Sequence, residues 1–422
     1  MKGVPDMNAY TARREALLEK MEAGSMLLLY SGETVPCSLD EGYAFEANRN
    51  FFYLTGLRRE NMALAMVKAG CDAYKDHVVL FIEEAVPSME RWTGKRVTKD
   101  EAKEITGIED VRFIDSLDGF ISRSVNREVV EMLYMECYRD AKADMDSYNM
   151  KKAKEMLAAY PTLKLCNAFP MIAGMRMTKD ETEVALMQKA VDLTGEALTR
   201  VLKTLKPGMM EYQAQAEFEY AIRMNGADGT AFATIAGSGI NGCMLHYGTN
   251  HCEMKDGSLL LMDLGAKYKG YCADITRTYP VSGKYTERQK QIYDIVLSAN
   301  RAVKAAAKPG LTTAELNDIC KKKLAEGLMA IGKIQSEEEI GTYYMHGVAH
   351  HLGIDTHDAV DPRQAKLVPG MVITNEPGLY IDEEEIGIRI EDDLLITEDG
   401  CIELSEKIAR TTQEIEAIMA GK

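Results

Sequence analysis

Hydrophobic and polar positions change rhythm repeatedly along the first part of the chain. Residues 26–30, 63–67 and 77–82 are apolar runs of strand length, whereas residues 12–21 and 100–105 repeat with helical spacing. This alternation predicts a small α/β domain. It continues through residues 129–137 and the lysine-rich stretch 151–159, whose charge predicts a solvated helix, to residues 163–172. The boundary is expected near Ala173, giving domains 1–172 and 173–422. At Thr178-Lys179-Asp180-Glu181 a capping-box pattern opens a long amphipathic helix, which Lys206-Pro207-Gly208 stops after about Leu205.

The second part carries a faint internal repeat. Lys206-Pro207-Gly208, then Glu211 and a helix, is echoed by Lys308-Pro309-Gly310, then Thr312-Thr313-Ala314-Glu315 and another helix. Each half ends in a carboxylate-bearing hairpin, residues 259–279 in the first and 371–396 in the second. The second turns at the acidic run 382–385, expected to be exposed. Two such halves predict a sheet backed by helices, with a site at the seam.

Composition narrows the partners. The net charge of −16 disfavours nucleic acid and anionic membrane surfaces, which require basic patches. Nine scattered cysteines without a Cys-x-x-Cys pair are expected to be reduced thiols. There is no apolar run of membrane-spanning length and no apolar signal core near the N-terminus, so a cytoplasmic location is expected.

Five side chains with metal-ligand chemistry then stand out: Asp263, Asp274, His350, Glu376 and Glu391. If the first hairpin turns at Lys269-Gly270, Tyr268 faces Tyr271 and Asp263 faces Thr276. Asp274 then shares the face of Thr276, so the two aspartates are diagonal neighbours. The apolar run before Asp263 argues against a surface hairpin, and buried carboxylates call for cations. Residues 345–358 hold four of the seven histidines, His346, His350, His351 and His357. Imidazole is the usual choice for a neutral ligand or an acid–base group near pH 7. His351, beside His350 on an extended segment, is expected to point away from the site. Glu376 follows an apolar strand and precedes Pro377-Gly378, and Arg389 shares a strand face with Glu391. Asp392 and Asp393 are expected to be solvated or behind the ligands.

Four carboxylates and one imidazole form an oxygen-rich set suited to paired divalent ions rather than to structural zinc. Two divalent ions would balance the four carboxylate charges, and a water bridging ions roughly 3.5–4 Å apart becomes a hydroxide nucleophile near neutral pH. Hydrolysis is the implied reaction. No Gly-x-Ser-x-Gly elbow and no cysteine accompanies the histidines, and Gly237-Ser238-Gly239 reads as a loop rather than a phosphate cradle.

These residues resemble the pita-bread metallopeptidases, and within them the Xaa-Pro aminopeptidases (aminopeptidase P). The matching stretches are residues 241–247, 263–278, 346–358, 376–381 and 387–393, with residues 48–56 and 92–96 matching the family's N-terminal domain. Residue by residue, 48–56 reads as an aromatic strand of core type and 92–96 as an exposed basic turn. The resemblance implies an α/β (α+β) chain: a small N-terminal domain and a catalytic domain of pseudo-two-fold halves, its curved antiparallel sheet backed by helices. It implies that Asp263 holds one metal through both oxygens, that Asp274 and Glu391 bridge, and that His350 and Glu376 complete the second metal. Glu376 would also carry a proton to the departing proline nitrogen. His357 and His246 would contact the scissile carbonyl, and His346 and Arg389 would line the proline-side pocket. Arg176 matches an arginine at the family's domain junction. The implied cofactor is a pair of divalent ions, Mn2+ first and Co2+ or Zn2+ next. The implied substrate is a peptide with proline second, and the implied assembly a homodimer or homotetramer. The turn at 382–386 is shorter than the loop aminopeptidase P often carries, so an Xaa-Pro dipeptidase (prolidase) is the alternative. Metal-free binding modules of the same fold lack the ligand carboxylates that this chain keeps.

Overall fold

The computed structural model describes residues 7–421, which form two compact units dividing between Met175 and Arg176. Unit one is built on a six-stranded mixed sheet. Its order is Asp110–Phe113, His77–Ile82, Ala63–Lys68, Ser25–Tyr30, Met132–Met135, Lys164–Asn167, with only Ala63–Lys68 antiparallel to its neighbours. The three longest strands are those seen as apolar runs, and their central residues are fully buried. The stretch at 48–56 is a helix, Arg49–Thr55, and not a strand. Asn48 caps it by accepting from Phe51 N, and Gly56 ends it in the left-handed conformation at φ 74°. All residues from Asn50 to Thr55 are buried, so the core expectation holds although the element changes. The helix Tyr148–Ala159 likewise has one packed face, Asn149, Ala153 and Met156, rather than being solvated throughout.

Unit two shows the repeat directly. The helices Glu181–Thr204 and Glu211–Met224 pack on each other in one half, as Glu287–Ala306 and Thr313–Ala330 do in the other. Both Lys-Pro-Gly turns join such a pair. Gly208 and Gly310 take φ of 83° and 91°, and their amides bond to Met254 O and Leu367 O, each at 2.9 Å. Met210 then bridges Glu253, and Thr312 bridges Lys366. The capping box of the first long helix is Asp180 with Glu183, two residues beyond the expected Thr178 with Glu181. The backbone around Thr178 is committed elsewhere, bridging Met371 and bonding Lys179 N to Gly370 O.

The first hairpin has the expected register, Tyr268 opposite Tyr271 and Asp263 opposite Thr276. Lys269 and Gly270 take φ of 48° and 88°, as a tight turn between twisted strands requires. Regular pairing breaks at Gly265, where a Cβ would overlap the Ala273 carbonyl, and Asp274 emerges at that break. The second hairpin keeps one register on both sides of a similar break, Ile381 opposite Ile386 and Asn375 opposite Asp392. Glu376 and Glu391 lie in the gap. Interrupted pairing frees these residues from the ladder and turns their carboxylates inward. The two hairpins meet where Glu391 N donates to Thr276 O at 3.0 Å. Gly237 and Ser238, expected in a loop, end the strand Ile235–Ser238 instead, and the chain turns at Gly239.

Candidate metal centre

One cavity of about 840 Å³ in unit two is lined by Asp263, Asp274, His350, Glu376 and Glu391, and also by His246, His346, His357 and Arg389. Every candidate site residue from the sequence therefore faces the same space. Asp274, His350 and Glu391 bring one ligand atom each within 4.8 Å of one another. His350 Nε2 lies 3.5 Å from Asp274 Oδ2 and 3.6 Å from Glu376 Oε1.

Hydrogen bonding fixes which nitrogen of His350 faces the cavity chemistry. Nδ1 is 3.1 Å from the His351 carbonyl, which can only accept, so Nδ1 carries the proton. Nε2 is left as a lone pair among carboxylate oxygens. Burial keeps this imidazole neutral, lowering its pKa to about 4. The carboxylates are shifted oppositely. Burial, then Glu391 and Asp263, raises Asp274 well above its ordinary value, and burial with Glu376 and Asp263 does the same to Glu391. Glu376 is pushed up to about 7, chiefly by burial, with Arg389 acting against it. Oδ1 of both Asp263 and Asp274 is buried without a hydrogen-bond partner. Crowded acids, orphaned oxygens and an aimed imidazole lone pair are what a site for divalent cations requires.

The surroundings hold these groups in place. Thr276 Oγ1 donates to Glu391 Oε2 at 2.6 Å, and Thr374 Oγ1 donates to Glu376 Oε1 at 3.3 Å. Arg389 Nη2 donates to Asp263 Oδ2 at 2.6 Å, while its Nη1 donates to the Tyr380 hydroxyl at 2.8 Å. Tyr380 is 2.8 Å from His346 Nε2, and His346 Nδ1 is 2.7 Å from the Gly347 carbonyl. Nδ1 therefore bears the proton, Tyr380 donates to Nε2, and one chain of bonds runs from Arg389 to His346. Burial also lowers His346 to about 4.

Behind the cavity, Asp392 and Asp393 are fully buried rather than solvated. Asp392 accepts from Arg277 Nη2 at 2.7 Å, Ser405 Oγ at 2.7 Å and Asn300 Nδ2 at 3.0 Å. Arg277 Nη1 also grips the Glu391 carbonyl at 2.6 Å, and Asp393 accepts from Asp274 N at 3.2 Å. His351 is buried away from the cavity, beside Lys179 and Asp358. Sequence reasoning missed Arg277, Asn300 and Tyr380. Arg277 lies between Thr276 and Thr278 on its strand, so no local pattern marked it as buried.

The chain matches the model of metallopeptidase family M24 over residues 185–398 and that of the aminopeptidase P N-terminal domain over residues 10–134. It is 35% identical to the Xaa-Pro aminopeptidase of Escherichia coli, covering 98% of this chain and 97% of that protein. Its fold superposes on E. coli aminopeptidase P bound to the inhibitor Pro-Leu with a TM-score of 0.89 at 34% identity, covering 99% of both chains. A Bacillus anthracis structure assigned as an aminopeptidase P gives 0.95 at 40% identity, covering 98% of both. With both domain matches, the full-length identity and the superposed fold in agreement, the chain belongs to the M24 metallopeptidases, in their aminopeptidase P branch.

Proposed function

We propose that this chain is a metal-dependent exopeptidase that removes the N-terminal residue from peptides with proline in second position. The observation that carries the reading is the single cavity joining five potential ligands to His246, His346, His357 and Arg389. The aminopeptidase P N-terminal domain and the full-length similarity to Xaa-Pro aminopeptidases favour this over the dipeptidase alternative.

Two divalent ions are the cofactor in this reading, and Asp263, Asp274, His350, Glu376 and Glu391 would hold them. When bound, they supply charge that lowers the pKa of a water and polarises the scissile carbonyl. Mn2+ is the first candidate for an oxygen-rich set, with Co2+ and Zn2+ next; a zinc-substituted E. coli aminopeptidase P is known in complex with product. The protein's own groups do the rest. Glu376, whose carboxylate faces the cavity at the interrupted second hairpin, would take a proton there and deliver it to the departing proline nitrogen. His246 and His357 reach the carbonyl side, and His346 with Arg389 shapes the proline side. Nine free cysteines fit a reducing compartment such as the cytoplasm, and a homodimer or homotetramer is the proposed assembly. Among the described residues, no helix is long and apolar enough to cross a membrane.

The test is hydrolysis of Xaa-Pro tripeptides and longer peptides against Xaa-Pro dipeptides, after chelation and with each metal restored. Cleavage of the longer peptides that returns with metal is expected. Cleavage confined to dipeptides, or indifferent to chelator, would contradict the proposal.

A further inference from the structure

The segment between His350 and Asp358 doubles back on itself. Asp358 N donates to His351 O at 2.8 Å, and Gly353 N donates to Asp355 O at 3.0 Å. Cys272 N, on the first hairpin, donates to Gly353 O at 2.8 Å and stitches the turn to the cavity wall. His350 and His357 leave this closed turn from its two ends, and their rings meet at 4.4 Å.

The two histidines are held very differently. His350 is fixed by strand-like bonds, His350 N to Thr374 Oγ1 at 3.1 Å and Thr374 N to His350 O at 2.9 Å. The His357 ring, exposed to the cavity, has no side-chain hydrogen bond among the described residues. Its direction depends on its backbone, which the next residue anchors. Asp358 Oδ1 accepts from Arg176 Nη2 at 2.5 Å, and Oδ2 accepts from Lys179 Nζ at 3.1 Å. The same Arg176 nitrogen bonds Asp355 Oδ2 at 2.8 Å. Side chains of Arg176, Lys179 and Asp358 are 3%, 1% and 1% exposed, and the two cations balance the two aspartates. A Cβ at Gly353 would overlap the Asp358 carboxylate, so the turn closes tightly over the cluster.

We propose that Asp358, gripped by Arg176 and Lys179, is a positioning residue that aims the His357 imidazole at the substrate carbonyl, independently of metal binding. The kinetic consequence rests on the proposed peptidase reading, whereas the placement of the ring does not. Removing the charge by Asp358→Asn keeps the side chain's shape, and Arg176→Lys shortens the side chain, drawing the donor back from both aspartates.

The experiment combines imidazole 15N spectra with a double-mutant cycle. Seven histidines make the spectrum assignable. In Asp358→Asn and Arg176→Lys, the His357 signals are expected to move or broaden while those of His350 stay. Affinity for Mn2+ is expected to remain within about twofold. For an Xaa-Pro tripeptide, kcat is expected to fall at least about tenfold with KM little changed, as misaimed catalytic groups do. In a His357→Gln background, Asp358→Asn is expected to cost less than about twofold, because the two residues act through one group. An unmoved His357 spectrum, an equal loss in both backgrounds, or a parallel loss of Mn2+ affinity would each overturn the proposal. Absence of Xaa-Pro hydrolysis in the wild type would instead refute the peptidase reading, and the spectra would still decide the placement of His357.

Discussion

Two sets of buried carboxylates stand back to back in the catalytic unit. Asp392 and Asp358, behind the cavity wall, each meet arginine or lysine directly, through Arg277 in one case and Arg176 with Lys179 in the other. Burial works against both charges, yet the cations more than offset it, and both acids end below their usual range. Asp274 and Glu391, facing the cavity, are shifted the other way by burial and by each other's neighbours. Asp392 and Asp358 are thus neutralised by cations of the chain itself, whereas Asp274 and Glu391 are left crowded where the cavity opens. Such an imbalance is relieved by protons or by added cations in the cavity, and the His350 Nε2 lone pair is open to either.

The largest effect should come from the cavity set. Glu391→Gln is expected to lower kcat/KM by more than the roughly 100-fold that loss of an outer partner of a metal ligand costs, measured with an Xaa-Pro tripeptide and metal in excess. On the closed side the loss should appear in stability instead. Asp392→Asn leaves Arg277 buried without its charge, a change expected to cost about 3–5 kcal/mol and to lower the thermal midpoint. If both substitutions had the same signature, the division between the two sets would be wrong.

A smaller effect concerns pH. Glu376 is raised from 4.5 to about 7, so the folded chain binds its proton more tightly than the unfolded chain does. The metal-free protein therefore loses stability as pH climbs through that window, and the raised Asp274 and Glu391 act in the same sense. His346 and His350, lowered from 6.5 to about 4, lose stability in the opposite direction, as pH falls below 6.5. Above 6.5 only the carboxylates matter. The thermal midpoint of chelated protein is expected to drop between pH 6.5 and 8, and saturating Mn2+ should abolish the drop. The smallest expected change is Thr276→Val, which removes the 2.6 Å bond to Glu391 and should weaken metal binding by about tenfold, read by calorimetry.

Much of the cavity set was legible in the sequence because its acids interrupt apolar runs, and because Lys269-Gly270 fixes the register that makes Asp263 and Asp274 neighbours. The closed set was not. Arg277 and Asp392, or Arg176 and Asp358, are joined only by the tertiary fold, and nothing local announces which buried charge meets which. Local competition accounts for smaller misses. Two capping boxes overlap at 178–183, and the sheet bridge at Thr178 decides between them. At 48–56 the aromatic residues suggested a strand, but the Asn48 cap and the Gly56 stop define a helix buried on all sides.

By this reasoning the cavity carboxylates destabilise the fold until cations arrive. Comparing thermal midpoints of wild type and Asp274→Asn, each chelated and then saturated with Mn2+ at pH 7.5, tests it most directly. The substitution is expected to leave the metal-free protein as stable as wild type or more so, and to remove most of the gain from Mn2+. A metal-free Asp274→Asn protein clearly less stable than wild type, with the Mn2+ gain intact, would contradict the account.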